Sequence, residues 1–250
     1  MKSFDAIIGH KKIISHFEEA IKTGKVSHAY LLSGEDGSGK MMIAKAVAKA
    51  LLCEHKDGCG ECAACKQVDS LNHPDVIYIT HEKYEIRVDD IRKGINETID
   101  IKPYSGDYKI YIIDDADRMN AGAQNALLKT LEEPPEHVKF ILATTEPQKL
   151  PATILSRCQR FDFKKISNEN IIKRLNIVCE KSNIEITKEA LNIIAVLSEG
   201  AMRDALSILE RCIQDGENKI DEDKIKDLVG IPKITYIHQL TESILEYDVD

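Results

Sequence analysis

The stretch Gly34-Glu35-Asp36-Gly37-Ser38-Gly39-Lys40-Met41 constrains this chain most, because it follows the phosphate-cradling pattern G-x-x-x-x-G-K-[ST] up to its last position and departs there. The apolar run at 28–33 before it suits a buried strand, in which His28 and Tyr30 read as structural residues. Met42 to Leu52 after it is rich in Ala and Lys and favours a helix. Strand, loop and helix in that order give the pattern its meaning. Gly34, Gly37 and Gly39 let backbone N–H groups turn toward phosphate oxygens, the helix presents its positive end, and Lys40 reaches the terminal phosphates as a mobile cation. The residue after the lysine should offer a hydroxyl to Mg2+. Met41 and Met42 offer only thioethers, poor ligands for a hard cation. The expectation is a loop able to hold phosphate but badly equipped for catalysis, with ATP–Mg2+ binding left open. A Gly-rich turn with no ligand is the competing reading of the spacing alone.

Residues 10 to 23 space their apolar groups along one helix face and stop at Gly24. A strand at Asp75–Ile79 follows the turn Asn72-His73-Pro74, and Val88 to Ile99 reads as a helix with Ile91, Ile95 and Ile99 on one stripe, ended by Pro103 and Gly106. Lys109 to Ile113 is a strand running into Asp114-Asp115, Gln124 to Leu131 a helix stopped by Pro134-Pro135, and Val138 to Ala143 another strand. Such alternation predicts a parallel sheet covered on both faces with right-handed crossovers, an α/β domain over residues 1–165. From Asn168 onward the pattern turns helical, with helices expected near 168–182, 187–198, 201–214 and 222–229, so residues 166–230 read as an all-helical second domain. Thr235 to Tyr247 reads as one more helix, which cannot bury its own apolar face. Residues 231–250 are therefore expected to open a third helical domain inside which the chain stops.

Charge supports the same division, since residues 166–250 hold 10 basic and 17 acidic side chains while the first 165 are nearly neutral. An acidic surface of this kind does not wrap DNA unaided. No apolar run approaches about 18 residues and no charged-then-apolar leader is present, so a cytoplasmic protein with no membrane association is expected.

Four of the seven cysteines form Cys53-x5-Cys59-x2-Cys62-x2-Cys65. Each short spacing lets two thiolates meet one ion, so the set matches a tetrahedral four-thiolate Zn2+ site, with His55 a lesser candidate in place of Cys53. A closed site has no open coordination position, which points to a structural metal. Lys56 and Lys66 are balanced by Glu54, Asp57, Glu61 and Asp69, so a zinc-dependent nucleic-acid module is the weaker reading.

Several stretches share a resemblance. Ile110 to Asp117, ending Asp114-Asp115-Ala116-Asp117, looks like a Walker B strand, in which an Asp holds the Mg2+ hydration shell and a following Glu polarises water. Here Asp115 stands at the second position, its carboxylate about 1.5 Å further back on an unchanged backbone. Leu127-Leu128-Lys129-Thr130-Leu131-Glu132-Glu133-Pro134-Pro135, Phe140 to Thr145 and Leu155-Ser156-Arg157-Cys158 closely resemble bacterial clamp loaders of the AAA+ superfamily. Phe4 to His10 resembles that family's N-terminal box near the adenine, and Gly200-Ala201-Met202-Arg203-Asp204 its lid motif with a sensor arginine. The resemblance implies a P-loop domain with a zinc module at 53–65, then a helical lid and a helical collar. It places Arg157 as an arginine finger acting in trans, Thr144 or Thr145 at the sensor position, and Arg203 on phosphate from the lid. Cys158 reads as packing. Within the family the motor subunit, gamma or tau, keeps the loop hydroxyl and the Walker B Glu, while delta-prime commonly departs from one or both. This chain departs at both and so resembles the delta-prime type, which implies no ATP hydrolysis of its own, the alternative being a divergent gamma/tau-type motor. The implied partners are the gamma/tau and delta subunits, the sliding clamp and primed DNA, all within the replicative polymerase assembly.

Overall fold

The computed structural model describes residues 2–5, 7–81, 84–214, 219–230 and 234–245. The chain divides into two compact units, Met1–Lys164 and Lys165–Asp250.

In the first unit, helix α1 (Lys11–Thr23) buries Ile13, Phe17, Ala20 and Ile21 and stops where Gly24, at φ 71°, returns its N–H to the Ile21 carbonyl. Strand β1 (Ala29–Ser33) leads through the glycine loop into α2 (Lys40–Leu52). The short α3 (Ala63–Asp69) follows, then β2 (Val76–Ile79) and α4 (Val88–Ile91), which runs on as a π-helical turn over Arg92–Asn96. Strand β3 (Lys109–Ile113), α5 (Ala121–Glu132), β4 (Val138–Thr144), α6 (Ala152–Leu155) and β5 (Gln159–Asp162) complete it.

The five strands form one parallel sheet in the order β2-β3-β4-β1-β5. Every residue of β1, β3 and β4 is buried, as strands covered on both faces must be. Alternation divides them. Tyr30, Leu32, Ile110, Ile112 and Ile141 pack with Phe17, Ile43, Val47 and Val68, whereas Leu31, Tyr111, Ile113, Phe140 and Leu142 pack with Ile91, Leu127 and Ile154. Because β3, β4 and β1 are adjacent and parallel, their carboxyl ends bring Asp114, Thr144 and Gly34 to one edge, where ligands of open α/β sheets bind.

The expected α/β architecture is present, and the differences have local causes. The 88–99 stripe is buried as expected at Ile91, Ile95 and Ile99, but the helix widens into a π turn. Neither α3 nor β5 was foreseen. The first is seven residues inside a Gly- and Cys-rich stretch, and β5 is an edge strand whose Arg160 and Asp162 are exposed, so it lacks the apolar run of its neighbours.

Asp75, 1% exposed, closes the edge of the sheet: it accepts from the backbone N–H groups of Tyr104 (2.7 Å) and Ser105 (2.8 Å) and so ties the 103–106 loop to the start of β2. Asp75→Ala leaves those donors unpaired and is expected to lower stability by about 3 kcal/mol, read as a fall in urea midpoint at unchanged slope.

The second unit contains α7 (Asn168–Lys181), β6 (Glu185–Ile186), α8 (Lys188–Leu197), α9 (Met202–Gln214), β7 (Lys219–Ile220), α10 (Glu222–Val229) and α11 (Ile234–Leu245). Ile171, Leu175, Cys179, Leu191, Ile194, Leu209, Cys212 and Ile225 make its core. The expected all-helical unit is corrected in one respect, since β6 and β7 pair in parallel with Glu185 opposite Lys219. Two-residue strands are too short to carry an alternating pattern. Of the stretch expected to open a third domain, residues 231–233 and 246–250 lie outside the described residues, as does Ala6 of the N-terminal box. Among the described residues no helix is long and apolar enough to cross a membrane.

Candidate nucleotide site and cysteine module

The glycine loop joins the carboxyl end of β1 to the first turn of α2. Gly34 donates its N–H to the Thr144 carbonyl (3.2 Å), and a Cβ on it would lie 2.7 Å from the Phe163 Cβ and 2.9 Å from its carbonyl oxygen, so no side chain fits there. Gly39 occupies the left-handed region at φ 95° and caps α2, which places Lys40 at the first helical position with no acidic residue in that turn. The Lys40 ammonium donates to the carbonyls of Gly34 (2.7 Å) and Glu35 (2.9 Å), arching back over the loop. Burial holds its pKa below the ordinary lysine value, against the opposing pull of the Asp36, Asp114, Asp115 and Asp117 carboxylates. The Ser38 hydroxyl is buried in the same loop without a hydrogen-bond partner, while the Ser38 carbonyl is bonded to His10 Nε2 (2.9 Å). Gly37, at φ 71°, supplies the remaining left-handed turn. These groups suit an anion: donors and a cation converge where a helix begins.

The magnesium end is built differently. Met41, the second residue of α2, is partly buried with its side chain against the apolar core, so the position that would carry a hydroxyl carries a thioether in an apolar contact. Asp114 follows β3 directly; burial and the charge of Asp115 raise its pKa above the ordinary carboxylate value, opposed by the Asp115 N–H and Lys40. Asp115 sits in the left-handed region at φ 49°, a conformation in which Asp is enriched. Its carboxylate is engaged by His81 Nε2 (3.1 Å), with Arg118 Nε at 3.8 Å. At the end of β4 the buried Thr144 hydroxyl donates to Asp117 Oδ1 (2.5 Å), and the Thr145 N–H reaches the same oxygen (3.3 Å). His81 and Asp117 therefore belong to this site. Their partners lie 34 and 27 residues away in sequence, and no motif spacing connects them.

The structure brings Gly34, Gly37, Gly39, Lys40, Asp114, Asp115, Thr144 and Thr145 to one edge of the sheet. Arg157 stands apart, just after α6: its guanidinium donates to the Thr153 carbonyl (2.8 Å) and pairs with Glu132 (3.0 Å), both partners on the surface. Arg203 is the second residue of α9 and belongs to the other unit, exposed along the helix. Burial pushes the Cys158 thiol up to about 12, so it packs rather than reacts.

In the cysteine module the sulfur atoms of Cys53, Cys59, Cys62 and Cys65 all lie within 4.8 Å of one another, with Cys59 to Cys65 at 3.9 Å and Cys62 to Cys53 at 4.0 Å. Thiolates 2.3 Å from a tetrahedral Zn2+ stand about 3.8 Å apart, so the set fits such an ion with little adjustment. Backbone N–H groups point at the sulfurs, from His55 and Cys59 to Cys53, from Glu61 and Cys62 to Cys59, and from Cys65 to Cys62. The donors from Cys62 and Glu61 draw the Cys59 thiol down to about 6, whereas burial raises Cys65.

A family profile described as DNA polymerase III, delta subunit, matches residues 9–167, and one described as DNA polymerase III clamp loader subunit, ATPase lid domain, matches residues 170–218. Subunit tau of DNA polymerase III from Bacillus subtilis is 42% identical over 98% of this chain and 44% of its own length. Subunit gamma from Buchnera aphidicola of Acyrthosiphon pisum is 38% identical over 98% of this chain and 68% of its own. Subunit tau from Escherichia coli is 36% identical, and this chain spans 38% of it. The chain thus covers under half the length of both tau relatives. The Thermotoga maritima RuvB Holliday junction branch migration motor shares the fold at a TM-score of 0.68 and 18% identity, over 92% of this chain and 72% of that one. The three polymerase III relatives carry the names tau and gamma, so they favour the gamma/tau alternative over the delta-prime reading. Profiles over both units and identities above a third along nearly the whole length agree on one conclusion: the chain belongs to the bacterial DNA polymerase III clamp-loader family of AAA+ proteins.

Proposed function

We propose that this chain is a gamma/tau-type clamp-loader subunit that holds ATP through its glycine loop and Lys40, cleaves it slowly, and lends Arg157 to the nucleotide of a neighbouring subunit. The observation that carries the proposal is a divided site. At the loop end Lys40 arches over Gly34 and Glu35, which supports phosphate binding, while Met41 packs against the core and Asp115 is short and engaged by His81. When bound, Mg2+ would neutralise the β- and γ-phosphates, with Asp114 the nearest candidate to hold its hydration shell. Thr145 would sense the γ-phosphate beside Asp117, and Arg203 would approach the phosphates from the lid. Zn2+ held by Cys53, Cys59, Cys62 and Cys65 would be structural. Partners on this reading are the other gamma/tau subunits and delta, with the sliding clamp and primed DNA reached through the assembly.

Arg157 is suited to its role because its present partner is weak: a surface pair with Glu132 contributes about 0–1 kcal/mol and yields readily to a phosphate. In a reconstituted loader, Arg157→Ala is expected to slow hydrolysis at the site it faces by roughly a thousand-fold without disassembling the complex. Unchanged ATP use in single-turnover assays removes the finger role.

Met41 and Asp115 favour one second reading, the delta-prime type, which makes no productive use of nucleotide. Calorimetry separates the two, since the gamma/tau reading requires ATP binding by the pure chain and the delta-prime reading requires none.

A further inference from the structure

The turn between Cys53 and Cys59 holds more ligand atoms than a four-thiolate site uses. His55 and Asp57 place a ring nitrogen and a carboxylate oxygen within 4.8 Å of each other and of the Cys53 and Cys59 sulfurs, so Cys53, His55, Asp57 and Cys59 form a second four-atom set. The two sets overlap at Cys53 and Cys59, with Cys62 and Cys65 belonging to the first alone and His55 and Asp57 to the second alone. Backbone geometry fixes this arrangement. Lys56, between the two residues, occupies the left-handed region at φ 55° and returns its N–H to the Cys53 carbonyl (2.9 Å). Gly58 is held by the Ser3 hydroxyl on its carbonyl (3.0 Å) at a spot where a Cβ would strike that oxygen at 1.7 Å.

We infer that the module takes a second borderline divalent cation, Zn2+ or Cd2+, bound by His55 and Asp57 and sharing the Cys53 and Cys59 thiolates with the first. The inference rests on the four-thiolate reading of the first ion and goes beyond it. Thiolates bridge well, and two tetrahedral ions sharing two of them need six ligands in total, the number this loop supplies. Charge favours the second ion. One Zn2+ among four thiolates leaves roughly two negative charges, and Asp57 adds a third, its carboxylate meeting the largely exposed Lys2 at 3.4 Å and the Cys53 sulfur at 3.6 Å. A second dication lowers the total to about one. His55 is exposed and Asp57 partly so, which makes this position the more exchangeable of the two.

The test uses the full chain without a histidine tag, reduced and stripped of metal, then loaded with Zn2+ under argon and washed, with zinc per chain counted by plasma mass spectrometry. Two ions are expected in the parent and one in the His55→Ala, Asp57→Ala double variant, whose circular dichroism should match the parent. With 113Cd2+ the parent should give two resonances split by coupling through the shared sulfurs. One ion in the parent, two in the double variant, or a single cadmium resonance overturns the inference. No ion in the parent overturns the four-thiolate reading along with it.

Discussion

Replacing Lys40 by Ala is expected to weaken ATP binding by about a hundred-fold and to leave the chain folded. The ammonium lies at the first position of α2, within 2.9 Å of two loop carbonyls, at the edge where three parallel strands end. A hydrogen bond to a charged group contributes up to about 3 kcal/mol, which corresponds to two decades in affinity. The fold does not depend on it. Burial disfavours its charge, and the carbonyls of Gly34 and Glu35 can turn to water once the side chain is gone. Calorimetric titration of the parent and Lys40→Ala measures the difference, and a loss below three-fold would place the phosphates elsewhere.

The second large effect concerns the cysteine module. Cys62→Ser, or removal of metal by a chelator, is expected to cost about 3–5 kcal/mol and lower the thermal midpoint by about 10 °C. The reason is that α3 is only seven residues long and cannot stand alone. It is started by the Cys62 side chain, which accepts the Cys65 N–H, and anchored by the buried Cys65 and Val68 against α2. Releasing the sulfurs frees the 53–62 loop and the start of α3 together. A midpoint that does not move, in a chain shown to have carried metal, would leave the ion with no structural role.

What could be read in the amino-acid sequence was whatever the chain writes contiguously. The glycine loop, the apolar strands at 29–33, 109–113 and 138–144, and the four cysteines each lie within one short stretch, so spacing alone exposed them. Contacts made by folding were hidden. Phe163 forbids a side chain at Gly34 from far along the chain, His81 reaches Asp115, and Thr144 donates to Asp117. The aspartate at 115 looked like a shortened glutamate. Its left-handed backbone and its contact with His81 are features that no pattern of residue types carries. The short strands β6 and β7 escaped for another reason, since their pairing is a tertiary event involving two residues on each side. The subunit type was likewise inferred from two positions, whereas identity along the whole chain leans toward gamma and tau.

On the proposed function, the phosphate half of this site is intact and the magnesium half is not. ATP titration of the pure chain, with and without Mg2+, addresses it directly when run beside Met41→Thr. The parent is expected to bind ATP with an affinity that Mg2+ changes by less than about three-fold, and Met41→Thr is expected to make Mg2+ tighten binding about ten-fold, or about 1.4 kcal/mol. Parent binding that tightens ten-fold on adding Mg2+, accompanied by turnover near about 1 per second, would contradict it.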